Sequence, residues 1–323
     1  MNSKSNELIQ KDPFFIFYDT RSGSTFLSNL LIKSACIAIP PESNFITKII
    51  LLYNKDSISN KNELHKVLDI IRSEDKFEDW NIDIDLIEKE IENRLPVSVR
   101  ALILLICAKY KDDNFPEADI FGIKKGSYVN FYRKIKEIFP ESKFIGIIRD
   151  GRAVFNSKKN SIRSETGKPF ETDPYRAAKQ WRRAVRLLKK IEDEYQDILI
   201  IKYEEIVKDT VSIIEKVCDY LDIPYNSENT ADDRKYYVSE KYGDIHKNIN
   251  EPPDSSRITA WRQELTEKEI YVFESITYKE LIKEGYELVN REGLLRDPIR
   301  KVLYRLKHFM IDPERRGFSG LYI

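Results

Sequence analysis

The sequence predicts an α/β protein: a doubly wound, mainly parallel sheet flanked by helices, with a helical insertion. Three observations carry this expectation. Short, largely apolar runs recur at 14–18, 121–124, 143–148 and 198–203, the pattern of strands buried in a parallel sheet. Stretches with helical periodicity follow them, and such alternation places helices on both faces of an open sheet. Two of the strand-to-helix turns, at 19–25 and 149–157, are rich in small, hydroxyl or basic residues, and ligands of such sheets lie beyond the carboxyl ends of the strands.

Taken in order, the strand at 14–18 breaks into a turn and resumes as a helix over 24–34. Residues 55–115 carry capping and charge patterns with little strand signal and read as a mostly helical insertion. Inside it, the apolar run 101–108 is far too short to span a bilayer, which takes about 20 residues, and reads as a buried helix with Cys107 in the core. Then come a short strand at 121–124, a helix at 128–139, a strand at 143–148 and a helix at 151–159. Asp173 and Pro174 supply an N-cap and first turn for a long helix through Tyr195. The continuous apolar run 198–203 predicts a strand buried on both faces. Arg21, Lys124, Arg149 and Tyr203 all fall at carboxyl ends of strands. Residues 1–295 are expected to form one domain, with 296–323 as a C-terminal helix and tail.

The turn at 19–25 is a phosphate cradle, which makes the expected fold P-loop-like. Backbone N–H groups at a helix start point toward an anion, and the helix dipole favours its charge. Arg21, Ser24 and Thr25 add side-chain donors, while Ser22 and Gly23 complete the small turn. The second turn repeats the arrangement, with Arg149 at the strand end and Ser157 about two helical turns on. Two anion sites on one sheet point to a ligand with two separated anionic groups. A Walker loop, G-x-x-x-x-G-K-[ST], needs Lys before its hydroxyl residue. Here Ser24 holds that place, and no Gly stands five residues before Gly23. A P-loop small-molecule kinase is therefore the disfavoured alternative.

Residues 21–27, Arg-Ser-Gly-Ser-Thr-Phe-Leu, resemble the 5′-phosphosulfate loop of the sulfotransferase family, and 149–157 resemble its 3′-phosphate motif. The resemblance extends over roughly 13–290. It is closest to the branch of tyrosylprotein sulfotransferases and bacterial carbohydrate and lipid sulfotransferases. What it implies is 3′-phosphoadenylyl sulfate (PAPS) as sulfuryl donor, bound by Arg21, Ser22, Gly23, Ser24, Thr25, Arg149, Ser157 and Tyr203. It also implies Glu42, in Pro40-Pro41-Glu42-Ser43, as catalytic base and Lys124, 25 residues before Arg149, as transition-state stabiliser. Trp181 and Trp261 fall on family positions too. Two departures stand out: Ser161 replaces a frequent basic residue, with Arg163 close by as a substitute, and Glu251, in 244–256, stands where relatives tend to have Lys.

The chemistry fits these assignments. Sulfuryl transfer in line to a hydroxyl calls for positioning, cations and a base, much as phosphoryl transfer does. A carboxylate such as Glu42 can take the hydroxyl proton, and Lys124 and Arg21 can neutralise charge on the bridging oxygen. No metal is needed. The expected acceptor is a hydroxyl on a carbohydrate or glycolipid, with lipid and peptide hydroxyls still open. A PAPS-binding protein without catalysis is the non-enzymatic alternative.

Lys+Arg and Asp+Glu balance at 54 each, which leaves no global field to select nucleic acid. The polar first 12 residues lack a signal-peptide pattern, so a cytoplasmic location is expected. Cys36, Cys107 and Cys218 are odd in number and lack ligand spacing. The same holds for His65, His246 and His308, although His246 lies in the late loop. From 299 to 310 apolar residues keep helical spacing opposite a basic face. This helix is expected to pack on its own domain or on a second subunit as a homodimer, with peripheral contact to an anionic membrane as the alternative.

Overall fold

The structure, a computed structural model, describes residues 11–35, 37–163, 166–225 and 254–289. In chain order the elements are β1 (Phe14–Tyr18), α1 (Ser24–Ser34), β2 (Ile37–Ala38), α2 (Phe45–Lys48) running into a π-helical turn (Ile49–Tyr53), β3 (Ser57–Ile58), α3 (Lys61–Arg72), a 3₁₀ segment (Asp75–Trp80), α4 (Ile84–Glu92), β4 (Val97–Ser98) and α5 (Val99–Asn114). They continue with β5 (Ile120–Lys124), a second 3₁₀ segment (Gly126–Phe131), α6 (Tyr132–Ile138), β6 (Phe144–Ile148), α7 (Gly151–Asn160), α8 (Pro174–Tyr195), β7 (Ile198–Lys202), α9 (Tyr203–Lys208), α10 (Thr210–Leu221), α11 (Ser256–Thr259), α12 (Trp261–Glu264) and α13 (Glu267–Lys283).

The described residues fall into two compact units. The first holds those up to Tyr18, from Ser22 to Ile148 and from Leu187 to residue 225; the second holds 19–21, 149–186 and 254–289.

The first unit is built on a five-stranded sheet of order β2-β5-β1-β6-β7, parallel throughout. Every residue of the central β1 is buried, as the unbroken apolar run requires. Its register sets Ile16 opposite Lys124 and Tyr18 opposite Ile147, which brings the ends of β1, β5 and β6 together. Phe15, Phe17, Phe139 and Phe144 fill the space over β1. The expectation for 198–203 needs correction. As β7 it is the outer strand, and Leu199, Ile200 and Lys202 are only half-buried, because an apolar run alone does not separate a central strand from an edge strand.

Between β2 and β5 the chain forms α3, α4 and α5 with a small antiparallel β3–β4 pair. On α3 the buried residues Leu64, Val67, Leu68 and Ile71 lie one turn apart and form a single apolar stripe. They adjoin a cluster of aromatic rings from Phe45, Phe77, Trp80, Tyr110 and Phe121. The single helix expected at 128–139 is instead a 3₁₀ segment followed by the short α6.

The second unit centres on α7, the first part of α8, and α13. Gly151 opens α7 where a Cβ would lie 2.6 Å from the Phe273 ring and 2.7 Å from Trp181, so only glycine lets these elements close. Arg152 is fully buried on the Trp261 ring at 4.0 Å. It is paired with Asp150 at 2.8 Å and Glu274 at 2.5 Å, the ion-pair arrangement a buried arginine requires. Among the described residues no helix is long and apolar enough to cross a membrane.

Candidate active site

Glu42 follows two prolines in the loop between β2 and α2, and three other elements hold that loop. The Trp80 indole N–H donates to the Pro41 carbonyl at 3.0 Å, and the Tyr128 hydroxyl donates to the Ser43 carbonyl at 2.7 Å. Ser43 Oγ donates to the buried carboxylate of Glu74. With its backbone fixed in this way, Glu42 turns its carboxylate toward the end of the sheet.

There the carboxylate meets three donors. Oε1 accepts from the Tyr18 hydroxyl at 2.5 Å and lies 3.1 Å from Lys124 Nζ, while Oε2 lies 3.3 Å from Lys125 Nζ. Burial alone would push the Glu42 carboxyl up, but Lys124, Lys125 and Tyr18 outweigh it and hold the group well below the usual carboxylate range. Lys124 is itself almost fully buried as the last residue of β5. Burial draws its ammonium below the ordinary lysine range, with the Glu42 charge opposing. Its Nζ also donates to Thr25 Oγ1 at 2.9 Å. One ammonium thus reaches both the carboxylate and the first turn of α1.

That first turn is open for an anion. α1 starts at Ser24 from Gly23 in the left-handed region (φ 89°), and no side chain caps it, so its leading N–H groups keep their capacity to donate. A Cβ on Gly23 would run into the edge of the Tyr203 ring, and Tyr203, the first residue of α9, is buried against it. Ser22, Ser24 and Thr25 are buried as well.

In the second unit Arg21, Arg149 and Ser157 come together. Arg149 is buried and donates from one terminal nitrogen to the Arg21 carbonyl at 3.1 Å and from the other to the Arg257 carbonyl at 3.0 Å. Arg21 Nε donates to Ser157 Oγ at 3.1 Å. The second turn does not repeat the first, contrary to the sequence expectation. Asp150 caps α7 by accepting from the Arg152 N–H at 2.9 Å, so a carboxylate already occupies that helix start. An anion here would be met by side chains, not by a bare helix end. The Arg163 guanidinium donates to the Phe170 carbonyl at 2.8 Å and lies 5.1 Å from the centre of the Phe170 ring, over which Arg21 also lies at 6.0 Å.

The sulfotransferase family profile matches residues 13–227, a stretch that contains both turns, Glu42, Lys124 and Tyr203. The chain belongs to the sulfotransferase family. Among curated members of that family, the protein-tyrosine sulfotransferase of Drosophila melanogaster is 29% identical over 148 residues, 43% of this chain and 27% of the fly protein. Protein-tyrosine sulfotransferase A of Caenorhabditis elegans is 28% identical over 116 residues, 34% of this chain and 28% of the worm protein. The matched stretch therefore spans little more than a quarter of either relative. Among solved structures, the sulfotransferase domain from the curacin biosynthetic pathway superposes with a TM-score of 0.60 at 19% identity, covering 86% of this chain and all of that one. The sulfotransferase domain of the Synechococcus olefin synthase gives 0.55 at 17%, covering 86% and 96%. Both likenesses show the sulfotransferase fold.

Several features of this family member escape the sequence. Tyr18 and Lys125 reach Glu42 from positions 24 and 83 residues away, and no local pattern marks them. His65 lies 2.8 Å from Glu88 and 3.9 Å from Glu92, a group assembled from α3 and α4 that spacing does not reveal. Its carboxylates are also held by Arg72 at 2.7 Å and Lys61 at 2.9 Å. His246, Glu251 and the basic stretch 299–310 lie outside the described residues.

Proposed function

We propose that this chain is a PAPS-dependent sulfotransferase that moves a sulfuryl group to an acceptor hydroxyl, with Glu42 as the base. The observation that carries the reading is the Lys124 ammonium shared between Glu42 and Thr25. It puts a proton acceptor and a cation at the mouth of an uncapped helix start, the combination in-line transfer requires. In the step, the acceptor oxygen forms the new S–O bond and the bond from sulfur to the bridging phosphate oxygen breaks. Its electron pair stays on adenosine 3′,5′-bisphosphate, and the hydroxyl proton passes to Glu42. Lys124 offsets charge on the departing oxygen.

The roles of the remaining residues follow from their donor chemistry. The start of α1, with Ser22, Gly23, Ser24 and Thr25, suits the 5′-phosphosulfate, and Tyr203 packs behind that turn. Arg21, Arg149 and Ser157 form a donor set suited to a 3′-phosphate, which charge-assisted hydrogen bonds would hold. The proposed acceptor is a carbohydrate or glycolipid hydroxyl. Were the basic amphipathic stretch 299–310 to lie on an anionic membrane instead of packing on its own domain, a lipid-linked sugar would be the matching acceptor. The test is a screen of carbohydrate, glycolipid, phenol and tyrosine-peptide acceptors with radiolabelled PAPS. Transfer to a sugar hydroxyl is expected; transfer to the peptide alone would reassign the acceptor, and PAPS binding without transfer to any acceptor would remove the enzymatic reading.

A further inference from the structure

We infer that Tyr18 and Lys125 are positioning residues, which aim the Glu42 carboxylate at the acceptor hydroxyl when Lys124 turns to the donor. The inference rests on Glu42 as base. Its starting point is the division of contacts. The Glu42 backbone is clamped through Pro41 and Ser43 by Trp80, Tyr128 and Glu74, so what is left to fix is the rotation of the side chain. Of the three groups that touch the carboxylate, Lys124 is the one whose ammonium also donates to the α1 turn, at Thr25 Oγ1. A sulfuryl group arriving there competes with Glu42 for that ammonium.

Tyr18 and Lys125 act on the carboxylate from different sides. The phenol donates to Oε1 and the ammonium to Oε2, and two donors on two oxygens fix the carboxylate plane, where one would leave it free to turn. Tyr18 is the last residue of β1 and is buried, so its ring cannot swing away. Lys125 keeps a positive charge beside Glu42 when Lys124 is drawn to the donor, and the base stays ionised. It also stays less strongly held than with both lysines upon it, which suits proton abstraction, since a base with a strongly depressed pKa is a poor one. The other charged groups nearby are Lys76, which acts on Lys124, and Glu74, beyond Ser43; Tyr128 and, next to it, Cys107 are further titratable groups.

The test asks whether the two residues work through Glu42. Turnover is measured at saturating PAPS with the acceptor that the screen selects, for Tyr18→Phe and Lys125→Met, each alone and combined with Glu42→Gln. Alone, each is expected to lower kcat by roughly ten- to a hundredfold, with the affinity for adenosine 3′,5′-bisphosphate unchanged and Lys125→Arg restoring most of the rate. In the Glu42→Gln background the same changes are expected to cost nothing more, because their target is gone. An equal loss in both backgrounds, or no loss in either, overturns the inference. Near-normal turnover of Glu42→Gln alone would instead remove the base assignment itself, a separate result.

Discussion

Arg149 donates to the backbone carbonyl of Arg21 across 3.1 Å, and Arg21 is a non-glycine residue in the left-handed region at φ 75°. A side chain tolerates that conformation only where its surroundings hold it. The Arg149 contact, together with Ser157 on the Arg21 guanidinium, supplies the hold.

A phosphate taken by this group should be felt mainly by nucleotides that carry it. Ser157→Ala and Arg149→Ala are expected to weaken adenosine 3′,5′-bisphosphate by about 1.5–3 kcal/mol each, and adenosine 5′-monophosphate much less. Ser157→Ala is the cleaner case, since Arg149 also supports the Arg21 backbone. Calorimetric titration of both nucleotides decides it, and equal losses would move the 3′-phosphate elsewhere.

Gly23→Ala brings two faults at once, a Cβ against the Tyr203 ring and a left-handed φ of 89°. The expected result is a lower melting temperature, from a backbone cost of about 1–2 kcal/mol plus the clash, and loss of nucleotide binding. In a Tyr203→Ala background, where the ring is absent, Gly23→Ala should still lower the melting temperature through the backbone cost. No loss in that background would show that the backbone conformation does not matter.

Arg152 is held by Asp150 and Glu274 inside the second unit. Its removal leaves two buried carboxylates without their cation, so Arg152→Ala should destabilise by about 3–5 kcal/mol. Urea unfolding measures this directly. A change under 1 kcal/mol would mean that water reaches the pair.

Much of this was legible in the sequence, and the reasons are local. The runs at 14–18 and 143–148 could be little else than buried strands, and the small residues from Ser22 to Thr25 mark a tight helix start. Glu42 and Lys124 became candidates through family resemblance, not through any pattern of their own. What stayed hidden depends on long-range register. Tyr18 reads simply as the last apolar residue of its strand, and only the placement of the β2–α2 loop turns its hydroxyl into a donor for Glu42. Asp150 reads as one more residue of an anion-binding turn until its carboxylate is seen capping α7. The edge position of β7 is a fact of strand order, which apolar content does not encode.

The Glu42 cluster has a consequence for acid stability. Its carboxyl sits below the ordinary range in the folded protein, so as pH falls into that range the unfolded chain takes up a proton at Glu42 that the folded chain does not. Stability from this group is therefore complete above the unfolded value, about 4.3, and declines as pH falls toward the folded one. Glu42→Gln should be less stable than wild type at pH 7, with the gap narrowing toward pH 3 in urea titrations. A gap that stays constant with pH would show that Glu42 gains nothing from its lysines.

The base assignment is tested most directly by Glu42→Gln, which keeps the size of the side chain and removes the proton acceptor. At saturating PAPS, kcat should fall by roughly 10²–10⁴, while calorimetry finds adenosine 3′,5′-bisphosphate bound as tightly as by wild type. Lys124→Ala should lower kcat as well and weaken the donor, because its ammonium faces the α1 turn through Thr25. Near-normal turnover of Glu42→Gln with nucleotide affinity intact would contradict the account, since the proton would then be leaving the acceptor by another route.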